Sequence, residues 1–349
     1  MEAIFTDYLT RLPLLPLLVI IAVALFLLAK SADLLVDEAV TLSVNWGVPK
    51  VLIGATIISI GTTTPEAAVS VFAAISGRPG LALGNAVGSI ICNTGLILGL
   101  ATIIGPVPIN RIIVRKQNLI QLGAGALLVL ACLPYTSLDG MFTEGGHFPQ
   151  FVGFLFLGLL IIYIWRSIRW SQTTESYLYE EDNVIDVDRA PTPVVFLKLV
   201  LAIAGVVVAS RILIPTVEET ALRLHVPESV IAATLVAFGT SLPELVTAMT
   251  AVRKNHGDIA LGNVIGADVL NVLFVVGAAG AVTPGGLKAP FNFYLVLFPA
   301  MILILVVGRL SLTLSETRIR RPFGFILLGV YVIVTVVSYF TPGVGEVLR

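Results

Sequence analysis

Two glutamates sit inside strongly apolar stretches and recur in matching surroundings. Glu66 ends the segment VPKVLIGATIISIGTTTPE (48–66), and Glu244 ends VPESVIAATLVAFGTSLPE (226–244). Read as helices, the first segment places Ser59, Thr62, Thr63 and Glu66 at i, i+3, i+4 and i+7, on one face. The second gives Ala237, Thr240, Ser241 and Glu244 the same spacing. Pro65 and Pro243 lack an N–H, so the carbonyls of Gly61 and Gly239 are expected to lose their helical partners. Carboxylates, hydroxyls and free carbonyls are the ligands of hard cations such as Ca2+ and Na+. Soft ligands are missing from both faces, which disfavours copper and zinc.

A second duplicated set follows each glutamate. Asn85, Ser89 and Asn93 lie at i, i+4 and i+8, and Asn263 and Asn271 take the corresponding places. Gly84 with Gly88, and Gly262 with Gly266, form GxxxG pairs expected to let helices approach closely. Any one motif is compatible with ordinary packing. The whole set in duplicate, with a carboxylate in each copy, points to a cation site.

The elements that must position these residues are membrane helices. The 349 residues are 57% hydrophobic and 12% charged, with a mean hydropathy of +0.98. Soluble domains carry about 25% charge. Ten apolar runs are long enough to cross a bilayer, near 13–38, 50–75, 80–105, 118–134, 149–165, 193–214, 229–251, 258–282, 291–308 and 322–340. The expectation is an all-α integral membrane protein; the run lengths argue against a β-barrel. The first run is too long for a cleavable signal peptide and lacks a small-residue cleavage motif.

The polar stretch 166–192 divides the chain into five spans over 1–165 and five over 193–349. Its acids (Glu175, Glu180, Glu181, Asp182, Asp186, Asp188) read as a solvated linker. At an offset of 178, about 17 of the 53 positions in 48–100 are identical to those in 226–278. Five spans per half is an odd number, so the second copy would cross in the opposite sense, as in transporters with inverted repeats around a midplane site. If the N-terminus is outside, the inner breaks hold 14 of the 21 Lys and Arg, among them Arg111, Arg115, Lys116, Arg253, Lys254 and Arg318. The outer breaks hold six, which favours both termini outside.

The remaining polar residues carry less. The net charge of −1 gives no field for nucleic acid. Cys92 and Cys132 lie in apolar runs and read as small core residues, and His147, His225 and His256 are too scattered for a zinc site. Asp33, Asp37, Glu38, Glu218 and Glu219 read as charges at span ends.

At these residues the sequence resembles the sodium/calcium exchanger family within the cation/Ca2+ antiporters, of prokaryotic type. GTTTPE (61–66) and GTSLPE (239–244) resemble its paired G-T-S-x-P-E signature. GNAVGSIICN (84–93) and GNVIGADVLN (262–271) resemble its second pair. The resemblance implies ten spans in two inverted five-helix repeats, in a prokaryotic plasma (inner) membrane. It implies that Glu66 and Glu244 share a Ca2+ ion, with backbone carbonyls at Thr62 and Thr240. Flanking Na+ sites would take hydroxyls of Thr63, Ser241 and Ser89 and carbonyls at Ser59 and Ala237. Asn93 and Asn271 would line the centre. The chain departs from the family pattern at Thr63-Thr64, Ile90, Ala267, Asp268 and Asn271.

Asp268 has Ile90 as its partner in the first copy, so symmetry does not explain it. Standing three residues before Asn271 on the same face, it is expected to border the cation cavity. The resulting expectation is a non-enzymatic antiporter exchanging Ca2+ for Na+ by alternating access. It needs no cofactor and would function as a monomer. Proton-coupled or K+-dependent exchange, an intramembrane hydrolase and a passive channel are the alternatives. No HExxH, GxSxG or paired-aspartate motif supports the hydrolase.

Overall fold

The computed structural model describes residues 2–109, 111–135, 138–173, 191–224 and 240–340. The described chain is helical almost throughout. Its helices are α1 (Glu2–Arg11), α2 (Leu14–Trp46), α3 (Lys50–Ile75), α4 (Pro79–Ile104), α5 (Arg111–Cys132) and α6 (Gln150–Thr173). Then come α7 (Thr192–Arg223), α8 (Leu242–Arg253), α9 (Gly257–Val282), α10 (Phe293–Thr313) and α11 (Arg321–Phe340). Eight of them are long and apolar enough to cross a membrane, among the described residues. A 26-residue helix such as α9 rises about 39 Å, enough for a hydrocarbon core of about 30 Å.

Several helices outrun their apolar segments. α2 continues to Trp46 rather than 38, α5 begins at Arg111 rather than 118, α6 continues to Thr173 and α7 to Arg223. Hydropathy marks where lipid ends, whereas the backbone stays helical until something stops it. For α2 the stop is Gly47, left-handed at φ 63°, whose N–H reaches back to the carbonyls of Ser43 and Val44. The run expected at 229–251 is described only from Leu242, as α8. Ala237, Gly239 and His225 lie outside the described residues, as do the linker acids.

The expected all-α fold misses one short sheet. β1 (Gly146–Phe148) pairs antiparallel with β2 (Leu287–Ala289), tying the connection after α5 to the one before α10. At the opposite end of the bundle, Pro108 bridges Arg318, with Ile109 N donating to Thr317 O at 2.8 Å and Ile319 N to Val107 O at 3.0 Å. That end also gathers Lys116, Arg166 and Trp170, and the start of α9 at Gly257 lies against Pro106.

α9 is the centre of the bundle: 94% of its most apolar window is buried, against 17% in α2. α3 packs on it at backbone range. A Cβ on Gly262 would lie 2.1 Å from Val51 O, one on Gly266 2.4 Å from Ala55 O, and one on Gly54 2.5 Å from Ile259 O. Only glycine fits at these three positions, which bears out the close approach expected of the second GxxxG pair. In the first pair, Gly88 has no atom within 4 Å of a Cβ, among the described residues.

α2 and α7 lie together along the outside of the bundle with large apolar faces exposed. Glu38 and Lys198 join them at 3.1 Å. Lys254, just past α8, holds both oxygens of Asp37 at 2.9 and 2.8 Å and also donates to Asp33 O at 3.1 Å. Glu219 pairs with Arg223 at 2.7 Å. Asp33, Asp37, Glu38 and Glu219 therefore pair with lysine or arginine across or along helices.

Candidate cation site

The two glutamates meet at the middle of the bundle from different local structures. Glu66 is within α3, one turn past Thr62 and Thr63 on a continuous helix that runs through Pro65. Glu244 is in the first turn of α8, which begins at Leu242 after a turn at Thr240 and Ser241. Pro243 accordingly occupies the opening turn, where its missing N–H is not needed. The single helical face expected for Thr240, Ser241 and Glu244 is corrected here, because Thr240 and Ser241 precede the helix. The chain turns there, and the positive end of α8 lies at Glu244.

Both carboxylates are 1% exposed. Thr63 Oγ1 donates to Glu244 Oε1 at 3.3 Å, linking α3 to α8. Oε2 of Glu66 and Oε2 of Glu244 have no hydrogen-bond partner, among the described residues. A buried polar atom left unpaired costs about 1–3 kcal/mol, and more if charged. Two such oxygens on neighbouring acids form a site built for positive charge.

Neutral oxygens surround the pair. Thr62 is fully buried beside the Glu244 carboxylate, its Oγ1 3.4 Å from Asn263 Oδ1 and 3.5 Å from Ser59 O. Ser59 is buried on the same helix, its hydroxyl donating to Thr56 O at 3.2 Å. Asn85 Nδ2 donates to Glu66 O at 3.4 Å and Ser70 Oγ at 3.0 Å, and Thr240 Oγ1 donates to Asn85 Oδ1 at 3.3 Å. Ser241 and Ser89 are buried. Asn85, Ser89 and Thr240 line a cavity of about 130 Å³ that reaches Tyr331, Thr335 and Ser338 on α11.

Both asparagines sit in widened turns. α4 forms a π turn over Cys92–Ile97 and α9 one over Asn271–Val276, so Asn93 and Asn271 lie at corresponding breaks in the helical ladder. A third π turn, Gly54–Ile58, precedes Ser59 in α3. π turns concentrate at functional sites because the extra residue re-aims neighbouring groups. The Asn93 side chain lies beside the Asp268 carboxylate; Asn271 Nδ2 donates to Ala267 O at 3.0 Å, and Asn271 Oδ1 has no partner among the described residues.

The structure thus brings together Glu66, Thr62, Thr63, Ser59, Glu244, Thr240 and Ser241, with Ser89, Asn93, Asn271 and Asp268 on the adjoining helices. Ala237 lies outside the described residues. Thr94, Asn118 and Gln121 escaped the sequence reading, although all are buried and polar. Gln121 Nε2 and Thr94 Oγ1 both donate to Asp268 Oδ2, at 2.7 and 2.5 Å. The signal was present: Gln117, Asn118 and Gln121 put three amides at i, i+1 and i+4 at the head of an apolar run.

Membrane-spanning helices that converge, through hydroxyl and amide oxygens, on two buried carboxylates define a cation-handling membrane protein. Comparison with known proteins gives the family. The family model for the sodium/calcium exchanger protein matches residues 16–169 and 194–340, and the chain belongs to that family, which is one of antiporters and not of enzymes. It is 33% identical to the inner membrane protein YrbG of Escherichia coli over 92% of this chain and 96% of that one. It is 30% identical to the sodium/calcium exchanger MaX1 of Methanosarcina acetivorans, over 92% and 98%. Its structure matches that of the sodium-calcium exchanger NCX_Mj, soaked with 10 mM Na+ and zero Ca2+, at a TM-score of 0.75. That match has 28% identity and covers 92% of this chain and 98% of that one.

Proposed function

We propose that this chain is a secondary antiporter that exchanges Ca2+ for Na+ across a prokaryotic plasma membrane. One observation carries the reading: Glu66 and Glu244 are buried together, each with an oxygen that has no hydrogen-bond partner among the described residues. Their two negative charges are balanced by one Ca2+ or by two Na+. The ions use the same oxygens and exclude each other, so the loaded bundle crosses with one cargo or the other. Thr62 and Thr240 supply carbonyls to Ca2+; Thr63, Ser241, Ser89, Ser59 and Ala237 complete flanking Na+ positions; Asn93 and Asn271 line the centre.

The matching π turns in α4 and α9 support two copies of one five-span unit in inverted orientation, ten spans in all. The outlying α2–α7 pair is then the group that slides past α3, α4, α8 and α9. The basic end at Lys116, Arg166 and Arg318 faces the cytoplasm and both termini lie outside. A single chain contains the complete site.

The test is Ca2+ flux into proteoliposomes holding the purified chain, with Na+, K+ and H+ gradients imposed in turn. Ca2+ uptake driven by outward Na+ alone supports the reading. Uptake driven only by H+ replaces it with proton-coupled exchange, and uptake that requires K+ makes the exchange K+-dependent.

A further inference from the structure

The π turn in α3 displaces a backbone carbonyl that a different helix then serves. Ser59 N–H reaches back to Gly54 O rather than to Ala55 O, its α-helical partner. Ala55 is buried, and a carbonyl that loses its partner inside a membrane bundle must find another donor. The hydroxyl of Tyr163, on α6, stands 3.2 Å from Ala55 O. Tyr163 is itself 4% exposed, so its hydroxyl reaches the turn from within the bundle.

The same carbonyl is pressed by α9. A Cβ on Gly266 would fall 2.4 Å from Ala55 O and 2.6 Å from Ser59 Oγ. Tyr163 Oη also lies 3.0 Å from Gln117 Oε1 on α5, and Ser167, one turn along α6, bonds the same hydroxyl. Gln117 Nε2 donates to Ser167 Oγ at 3.3 Å. One hydroxyl proton therefore serves two acceptors, Ala55 O and Gln117 Oε1. The neighbouring amides of α5 belong to a separate row. In it Arg309 Nη1 donates to Asn118 Oδ1 at 3.3 Å, Asn118 Nδ2 to Gln121 Oε1 at 2.8 Å, and Gln121 Nε2 to Asp268.

The turn sets where the oxygens of α3 point. A π turn holds one residue more than an α turn, so the helix beyond it is rotated by about 100° relative to an uninterrupted one. Ser59 is the first residue beyond the turn, and Thr62, Thr63 and Glu66 follow. The far end of this stretch has ties of its own: Thr63 donates to Glu244, and Asn85 to Glu66 O. Ser59 has its N–H in the turn itself. If the turn closed to an ordinary α turn, the Ser59 peptide would swing first and furthest.

We propose that Tyr163 is a positioning residue that sets the Na+ affinity of the exchange. Its hydroxyl replaces Ser59 N–H at Ala55 O, holds the π turn open and keeps the Ser59 carbonyl aimed at its Na+ position. The inference rests on the exchanger reading. It gives α6, which carries neither glutamate nor asparagine of the centre, a share in choosing between the two cations.

The test is the rate of Na+-driven Ca2+ uptake in proteoliposomes, titrated separately in Na+ and in Ca2+. Tyr163→Phe keeps the ring and removes only the donor. It raises the Na+ concentration for half-maximal exchange about tenfold, the effect of losing one hydrogen bond to a buried carbonyl, and leaves the Ca2+ value unchanged. Tyr163→p-aminophenylalanine, which keeps a donor in the same place, retains most of the wild-type Na+ value. Gln117→Leu leaves the tyrosine proton to Ala55 O alone and does not raise the Na+ value. If Tyr163→Phe does not elute as a single species on size-exclusion chromatography, Gln117→Leu decides. A wild-type Na+ value in Tyr163→Phe, an equal loss for both cations, or a raised Na+ value in Gln117→Leu overturns the proposal. Absence of Na+-driven flux in the unmodified chain defeats the exchanger reading instead.

Discussion

The Thr63 hydroxyl reaches Glu244 Oε1 at 3.3 Å, so the carboxylate of α8 is held by the helix that carries the other carboxylate. Thr63 stands three residues before Glu66, and one side chain thereby fixes the separation of the two acids. Thr63→Val keeps the shape and removes the donor. It is expected to weaken Ca2+ activation of exchange about tenfold, as losing a hydrogen bond to a charged group does. Thr63→Ser should stay close to wild type, and Ca2+ titration of exchange rates compares the two. Equal activation in Thr63→Val and wild type would remove Thr63 from the site.

The α3–α9 contact predicts a sharp contrast among glycines. Gly262→Ala places a methyl carbon 2.1 Å from Val51 O, so the helices must separate. A loss of about 1–3 kcal/mol is expected, read as a fall in Tm of the detergent-solubilised protein. Gly123→Ala in α5 meets no atom within 4 Å, among the described residues, and should leave Tm unchanged or raise it slightly.

Lys254 ties the end of α8 to Asp33 and Asp37 of α2. The Asp37 side chain is 61% exposed, so the pair adds under about 1 kcal/mol to stability. If α2 moves past α8 during transport, the same pair must break in one direction. Lys254→Gln is therefore expected to change the maximal exchange rate while leaving Tm nearly constant. A large fall in Tm with unchanged rate would make the contact purely structural.

Much of the fold and the site could be read from the sequence. Glu66 and Glu244 stood out because ionised groups are rare in apolar runs, and the offset of 178 paired Asn93 with Asn271. The unlike settings of the two acids were not legible. GTTTPE and GTSLPE look equivalent as strings, yet Pro65 is inside a helix and Pro243 opens one, a difference set by the tertiary path of the chain. The row from Arg309 to Asp268 was hidden for a related reason. It links residues 118, 121, 268 and 309, and no local spacing joins them. The extra turns of α2, α5 and α6 were missed because polar residues there end the apolar pattern while the backbone remains helical.

Orientation has its own test. The break at 135–148 contains no Lys or Arg, whereas 309–321 contains Arg309, Arg318, Arg320 and Arg321. Thr143→Cys, in a background lacking Cys92 and Cys132, should react with an impermeant maleimide applied to intact cells, and Thr317→Cys only after lysis. The reverse pattern would place the termini inside.

The central claim is that Glu66 and Glu244 jointly hold the exchanged cation, and Na+-driven Ca2+ uptake in proteoliposomes tests it most directly. Purified Glu66→Gln and Glu244→Gln keep the shape of each side chain but remove the charge that balances a dication. Each variant should insert and elute like wild type, and each should lose Ca2+ uptake down to the level of protein-free vesicles. Uptake at the wild-type rate in either correctly inserted variant would contradict the account.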